Sequence, residues 1–217
     1  MTVSLAANAL TTVEAVAGDL GLTLDDANRQ LLARHVNAVS EAIERYCGRK
    51  FYRTSGIVEK VKGYGTERLL LERTPVESVA SVVISGTTLS SDLYSIEDVD
   101  TGTLFNLSGW ADTARYARAA GPQRIGGTEA ALYTVTYTGG YVMPAALRVV
   151  TGSMVALPYD LEEAAIGAAV ALFRQKGTDR SIIAEGLGDA SVQYDREQGG
   201  ILPAWVRQTL AGYKRER

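Results

Sequence analysis

The stretch DDANRQLLARHVNAVSEAIERYCGRKF, Asp25 to Phe51, decides how this chain folds. Leu32, Val36, Val39, Ile43 and Tyr46 recur at steps of four and three, which places them on one side of an α-helix. Arg29, Arg34, Asn37, Glu41, Glu44 and Arg45 fall mostly on the other side, with Glu41 and Arg45 at the favourable i,i+4 spacing. Asp25 or Asp26 can cap the start, and Gly48 can take the left-handed conformation that stops it. A helix of this length is stabilised mainly by packing its apolar face, so the rest of the chain must supply a partner surface.

Before this helix, residues 1–10 are small and weakly patterned, and read as a mobile arm or lead-in. Thr11 or Thr12 caps a short helix through Asp19 that faces Val13, Val16 and Leu20 inward. After Gly48 the period changes from 3.6 to 2. Phe51–Thr54, Ile57–Val61, Arg68–Leu71, Leu93–Ile96, Thr103–Asn106 and Leu132–Tyr137 read as short strands. Val79–Ile84 is continuous and β-branched, the pattern of a strand buried on both faces. Gly109–Gly127, with Arg115, Arg118 and Arg124, reads as an exposed loop, and the type of Leu147–Val150 stays open.

Helical period resumes at Leu157-Pro158-Tyr159-Asp160, where Pro and acidic residues suit a helix start. Ala164–Phe173 has no polar face, so it is buried on most sides and is the natural partner of the Leu32–Tyr46 stripe. A last short helix begins at Pro203 and carries Trp205, Val206, Leu210 and Tyr213. Strands gathered in the middle give an α+β fold: a helical bundle with a block of short antiparallel strands inserted between the second and third main helices. The expected layout is one domain, 1–217, comprising a bundle of 1–50 and 157–217 and a β-rich insertion, 51–156.

Bulk properties exclude several functions. The net charge of −3 supplies no overall positive field for nucleic acid. The longest apolar run is about half the roughly 20 residues of a membrane span, so no membrane role is expected. Met1–Leu5 lacks the pattern of a signal peptide. The single cysteine, Cys47, forms no disulfide framework, fits a reducing cytoplasm, and reads as a small buried hydrophobe.

Catalytic chemistry finds no constellation. His35 is the only histidine and has no nearby Cys or His, so neither a zinc site nor a triad is built on it. Gly63-Tyr64-Gly65 and Gly186-Leu187-Gly188 lack the context of a phosphate loop and read as turns. Glu162 and Glu163 are helix neighbours that point about 100° apart. The acidic run Glu97–Asp100 reads as turn chemistry, since it lacks the ordered oxygen ligands of a calcium loop. Two basic clusters remain. Arg45, Arg49, Lys50 and Arg53 surround the end of the long helix, as terminus chemistry or as a DNA contact. Lys214, Arg215 and Arg217 follow the Trp205/Leu210/Tyr213 stripe, which either docks on its own core or meets another subunit or partner.

Five motifs in order give this chain a family likeness. Ala42-Ile43-Glu44-Arg45-Tyr46-Cys47-Gly48-Arg49-Lys50-Phe51 comes first, then Leu71-Glu72-Arg73-Thr74-Pro75-Val76-Glu77-Ser78-Val79. Tyr137-Thr138-Gly139-Gly140-Tyr141 and Leu157-Pro158-Tyr159-Asp160-Leu161-Glu162-Glu163-Ala164 follow, and the last is Gly186–Tyr194 with Leu202-Pro203 to Tyr213. Together they resemble the phage head–tail connector, or adaptor, family of tailed bacteriophages and gene-transfer particles, across roughly residues 25–213. The interposed residues 142–156 depart from the family's usual short step between the third and fourth motifs.

The resemblance implies a structural virion protein of the neck, assembled in the host cytoplasm, with no enzymatic activity, metal or cofactor. It implies a ring, usually of twelve subunits, beneath the portal, joining head to tail and extending a channel. Double-stranded DNA would pass through it without specific binding. The implied partners are the portal protein and a stopper or tail-completion protein. Trp205, Leu210, Tyr213, Lys214 and Arg215 are the expected portal or intersubunit contacts, and loss of 203–217 is expected to spare the fold. Arg45, Arg49, Lys50 and Arg53 are the expected contacts in the alternative reading, a DNA-binding accessory of packaging, for which affinity should fall steeply with salt.

Overall fold

The computed structural model describes residues 4–112, 133–146, 150–175, 184–187, 190–193 and 201–215. The expected loop residues Arg115, Arg118 and Arg124, and most of Leu147–Val150, lie outside them. The chain divides into two compact units, Met1–Arg49 with Met143–Arg148 and Leu157–Arg217, and Lys50–Val142 with Val149–Ala156. The fold is α+β, with four α-helices among the described residues and strands concentrated between the second and third.

In the helical unit, α1 (Val13–Leu20) begins at Thr12, whose hydroxyl accepts the Ala15 N–H at 3.1 Å. The long helix α2 (Asp26–Cys47) is capped by the Asp25 carboxylate, which accepts the Asn28 N–H at 2.7 Å. It stops at Gly48, at φ 66°, a left-handed conformation that glycine adopts without a Cβ penalty. Leu32, Val36, Val39 and Ile43 are fully buried, and α3 (Tyr159–Arg174) packs against α2. Ala164, Ala165, Ala168 and Ala169 line the buried part of α3, where small side chains allow close helix approach. The partner anticipated for the stripe is therefore the one found. The C-terminal helix α4 (Ala204–Thr209) continues into a 3₁₀ turn, Leu210–Tyr213.

Residues 4–10 correct the expectation of a mobile arm. Ala9 and Leu10 are completely buried, and the segment is held along α2 by that helix's own polar side chains. Glu44, expected on the outer side, is buried for the same reason: it receives the Asn8 side-chain amide at 2.8 Å. Small, unpatterned sequence conceals docking of this kind, because backbone groups make most of the contacts.

The β unit contains two antiparallel sheets. One has the order β1 (Thr54–Val61), β7 (Tyr133–Gly139), β3 (Val76–Ile84), β4 (Thr87–Thr88). The other has the order β2 (Arg68–Leu70), β6 (Thr103–Phe105), β5 (Ser95–Asp98). A short parallel pair, β8 (Tyr141–Val142) and β9 (Val155–Ala156), completes it. Tyr133, Val135 and Tyr137 point inward and Thr134 and Thr136 outward, as their alternation predicts. β3 is not buried on both faces: Val76 and Val82 are buried while Ser78 and Ala80 are exposed. Its β-branched run reflects strand propensity on a sheet with one covered face.

Trp110 is a second correction. Placed in an expected exposed loop, it is instead fully buried, stacked edge-on to Tyr133 at 5.2 Å, with its indole N–H donating to the Glu67 carbonyl at 3.0 Å. The hairpin turn between β5 and β6 uses Asp98 as turn chemistry requires: its carboxylate accepts the Asp100 and Thr101 N–H groups, which hold it below its ordinary pKa. Gly186 is not in a turn but within β10 (Ala184–Leu187), paired opposite Ser191 of β11 (Ala190–Gln193).

Candidate assembly surfaces

The motif residues, scattered along the sequence, gather into two knots. In the β unit, Arg53 makes a two-pronged ion pair with Glu77, at 2.6 and 3.0 Å, joining the first motif's exit to the second motif. That pairing holds the Arg53 guanidinium above its ordinary pKa through hydrogen bonding to the carboxylate. Arg73 donates to the Tyr52 carbonyl at 2.8 Å and stacks over the Tyr52 ring at 4.6 Å. Its backbone N–H reaches the Tyr137 hydroxyl at 2.9 Å, and that hydroxyl donates to Glu59 at 2.6 Å. Burial, and next the Glu59 carboxylate, push the Tyr137 phenol well above its ordinary value. Gly139 and Gly140 of the third motif fit here because a Cβ on Gly139 would lie 2.6 Å from the Arg73 carbonyl oxygen, and one on Gly140 2.5 Å from that of Tyr52.

The second knot is in the helical unit and fixes the C-terminal segment. Tyr213 donates its hydroxyl to Asp160, at 2.6 Å, linking the fifth motif to the fourth. The outer carbons of the Trp205 indole lie over Gly167, where an added methyl would overlap them. These two contacts show that α4 and its 3₁₀ turn run antiparallel to α3. Val206 and Leu210 are fully buried. The Tyr46 hydroxyl donates to the Arg207 carbonyl at 3.2 Å, and the Arg215 N–H to the Cys47 carbonyl at 3.0 Å. Cys47, 1% exposed, sits under this lid with its sulfur 4.0 Å from the Leu210 carbonyl oxygen. Desolvation raises its thiol pKa to about 11, opposed by the nearby charges of Arg49 and Lys214.

The expected contact residues are thus separated by the fold. Leu210 belongs to the interior of the bundle, and Tyr213 is half-buried and engaged with Asp160. Trp205 remains 51% exposed, and Tyr159, at the start of α3, is 74% exposed. Lys214 lies with its ammonium 4.2 Å from the Tyr46 ring centroid, and Lys214 and Arg215 are exposed. Removal of 203–217 would strip the buried Val206 and Leu210 from the core, so the structure argues that it should also cost stability.

The four cations at the end of α2 also divide. Arg45 is exposed and Arg49 half-exposed in the helical unit; Lys50 and Arg53 belong to the β unit, where Arg53 is committed to Glu77. Asn37, Ser40 and Glu44 on α2 were missed by sequence reasoning because their targets, Ser4 to Leu10, carry no pattern. The recurrence of polar residues at steps of three and four on one helix was the available signal. His35 is half-buried, edge-on to Phe173 with ring centroids 6.2 Å apart, a packing role. Among the described residues, no group of three or more His, Cys, Asp or Glu is arranged to hold a metal ion, and no helix is long and apolar enough to cross a membrane.

A sequence profile described as "HCP: Head completion protein" matches residues 9–216. Among curated proteins, no sequence matches. Among solved structures, the chain is similar to one in the neck of the empty GTA particle computed with C6 symmetry, with TM-score 0.52 and 13% identity over 99% of this chain and 93% of that one. It is also similar to one in the neck of the native GTA particle computed with C12 symmetry, with TM-score 0.49 and 12% identity over 99% and 93% of the two chains. The first likeness shows a shared fold.

Proposed function

The chain belongs to the head completion protein family, and on that premise we propose that it is a non-enzymatic structural subunit of a particle neck. Its subunits form a ring beneath the portal, joining head to tail and continuing the DNA channel. The observation that carries this reading is the family match over residues 9–216, which takes in both compact units and the docked C-terminal segment. The fold shared with a GTA neck chain supports it.

The working ring has twelve subunits, with the portal on one side and a stopper or tail-completion protein on the other. It sits in the neck of the virion after assembly in the host cytoplasm. A cyclic ring is built from heterologous contacts, in which two different surfaces of each subunit meet. Trp205 supports such a contact best: it is large, aromatic, half-exposed, and anchored from beneath by Gly167. Leu210 and Tyr213 hold the segment in place, and Lys214 and Arg215 lie at its far end. A net charge of −3 suits a passage through which DNA slides.

Light scattering of the full chain, alone and mixed with portal, tests the reading. A ring or a portal complex is the expected result; a chain that stays monomeric at high concentration and ignores portal would sink it. Trp205→Ala, chosen because its side chain lies outside the core, should weaken ring or portal association at least about tenfold, the loss typical of a hot spot. Unchanged association would remove Trp205 from the interface.

A further inference from the structure

Two turns of the β unit carry large apolar side chains where turn chemistry calls for polar ones. Leu107, 78% exposed, is the most exposed large apolar side chain among the described residues, and Tyr64 is 73% exposed. Leu107 holds the second position of a tight turn, in which the Gly109 N–H donates to the Asn106 carbonyl at 2.9 Å. Tyr64 stands between Gly63 and Gly65, on the connection from β1 to β2. Solvated turns ordinarily take Gly, Pro, Asn, Asp or Ser at such places.

The two turns are joined into one tip. The Gly65 N–H donates to the Trp110 carbonyl at 2.8 Å, the Trp110 N–H to the Thr66 carbonyl at 2.7 Å, and the Asn106 N–H to the Glu67 carbonyl at 2.9 Å. The Asn106 side chain accepts the Ser108 N–H at 2.9 Å, and a methyl added to Gly63 would overlap the Ala111 carbonyl. Trp110 itself is fully buried, with its indole N–H on the Glu67 and Leu104 carbonyls. A backbone braced in this way loses little freedom on binding, so the tip is preorganised for a contact.

Charge along these turns nearly cancels. Lys62 and Glu67 are exposed and opposite in sign, Arg68 is held by Glu97 at 2.6 Å, and Asp112 adds one further carboxylate. No positive field is left to attract phosphate or an anionic lipid surface. Apolar anchors beside balanced charges suit a protein partner, with the anchors at the centre and the charges at the rim.

We propose that the Tyr64/Leu107 tip docks on the Trp205 face of a second copy of this chain. This rests on the neck reading above and supplies the half of the ring contact that the reading leaves open. A heterologous contact needs two different surfaces on each subunit. Among the described residues, the exposed aromatic side chains are Tyr64 in the β unit and Tyr159 and Trp205 in the helical unit, so each unit carries its own. Anchors of this kind tend to meet one another across an interface. Trp205, seated on Gly167, is held in place before binding, as the tip is. A tip that met the tip of another copy would make an isologous contact and stop at a dimer.

The test is light scattering of the full-length chain over a concentration series. Tyr64→Ser with Leu107→Ser should weaken self-association at least about tenfold, with the denaturant midpoint unchanged because both side chains lie mostly in water. Tyr64→Phe with Leu107→Met, which keeps the apolar surface, should associate as the unaltered chain does. The serine pair is then mixed with Trp205→Ala at a concentration where neither variant associates alone. Each retains the surface the other lacks, so a 1:1 heterodimer should form and grow no further.

Absence of the heterodimer overturns the pairing, and so does an equal loss in the Phe/Met variant. Rings that persist in the serine pair overturn it too; if those rings no longer bind portal, the tip belongs to the portal contact instead. Portal binding by the unaltered chain keeps the two ideas apart. A chain that binds portal but not itself defeats the tip alone, whereas one that does neither defeats the neck reading as well.

Discussion

Both ends of the chain dock on α2, and they do so by different physics. The N-terminal end is caught by side chains of the helix: Asn37 accepts the Ala6 N–H at 2.9 Å and donates to the Ser4 carbonyl at 3.0 Å, and Ser40 accepts the Leu10 N–H at 3.0 Å. The C-terminal end is caught mainly by apolar anchors, Val206 and Leu210, with backbone hydrogen bonds added. Each end buries one leucine completely, Leu10 and Leu210. The difference lies in how replaceable the remaining contacts are. A buried N–H that loses its acceptor costs more than a hydroxyl removed along with its own bond.

The largest effects test whether the two ends are equally part of the core. Leu10→Ala and Leu210→Ala should each cost about 2–5 kcal/mol in denaturant unfolding. A loss for Leu10→Ala below about 1 kcal/mol would show that the N-terminal segment is only laid on the surface. The next contrast concerns polar contacts. Ser40→Ala leaves the buried Leu10 N–H without its acceptor and should cost about 1–3 kcal/mol, against about 0.5–1.5 kcal/mol for Tyr46→Phe. Equal losses would erase the distinction between the ends.

Cys47 reports on the C-terminal lid. Its thiol pKa is raised to about 11 from an ordinary value near 9, chiefly by desolvation. Below about pH 9 the thiol is neutral folded and unfolded, so its contribution is fully present. As pH rises from about 9 toward 11 the unfolded chain ionises first, and stability falls. Cys47→Ala should remove that alkaline decline, and thiol-reactive probes at pH 8 should label the native chain far more slowly than the unfolded one. Persistence of the decline in the variant would assign it elsewhere.

Smaller effects sharpen the picture at the surface. Gly167→Ala should push the Trp205 indole outward. Stability should change by less than about 1 kcal/mol, because alanine's helix preference offsets the lost contact. The emission of Trp205 should then shift to the red; Trp110, the other tryptophan, is buried in the β unit and serves as the internal constant. Arg29→Ala breaks the exposed pair with Glu14, 2.6 Å apart, and should cost no more than about 0.5 kcal/mol.

Periodic burial was readable from sequence. The α2 stripe, the Ala-rich α3 that covers it, the alternation of β7 and the α+β order all follow from which faces must leave water. The caps at Thr12 and Asp25 and the stop at Gly48 were readable too, because each satisfies a helix end locally. Residues 4–10, Trp110 and β3 were misread for related reasons. Their burial depends on segments distant in the chain, and local pattern carries no record of what will lie across from it.

The candidate surfaces show the same division. Residue types announced an aromatic, amphipathic C-terminal segment and two basic clusters. Which side chains face inward was settled only by packing: Leu210 turned into the core and Trp205 stayed half-exposed. Arg53 was withdrawn into an ion pair with Glu77, while Lys214 arrived over the Tyr46 ring and the Arg215 N–H at the Cys47 carbonyl. By itself the sequence determined the helices, their caps, the strand alternation and the family likeness, because these rest on neighbours within a few residues. Only the tertiary structure decided which motifs meet, which end of the chain is core and which charges share a surface, because those contacts join residues that only folding brings together.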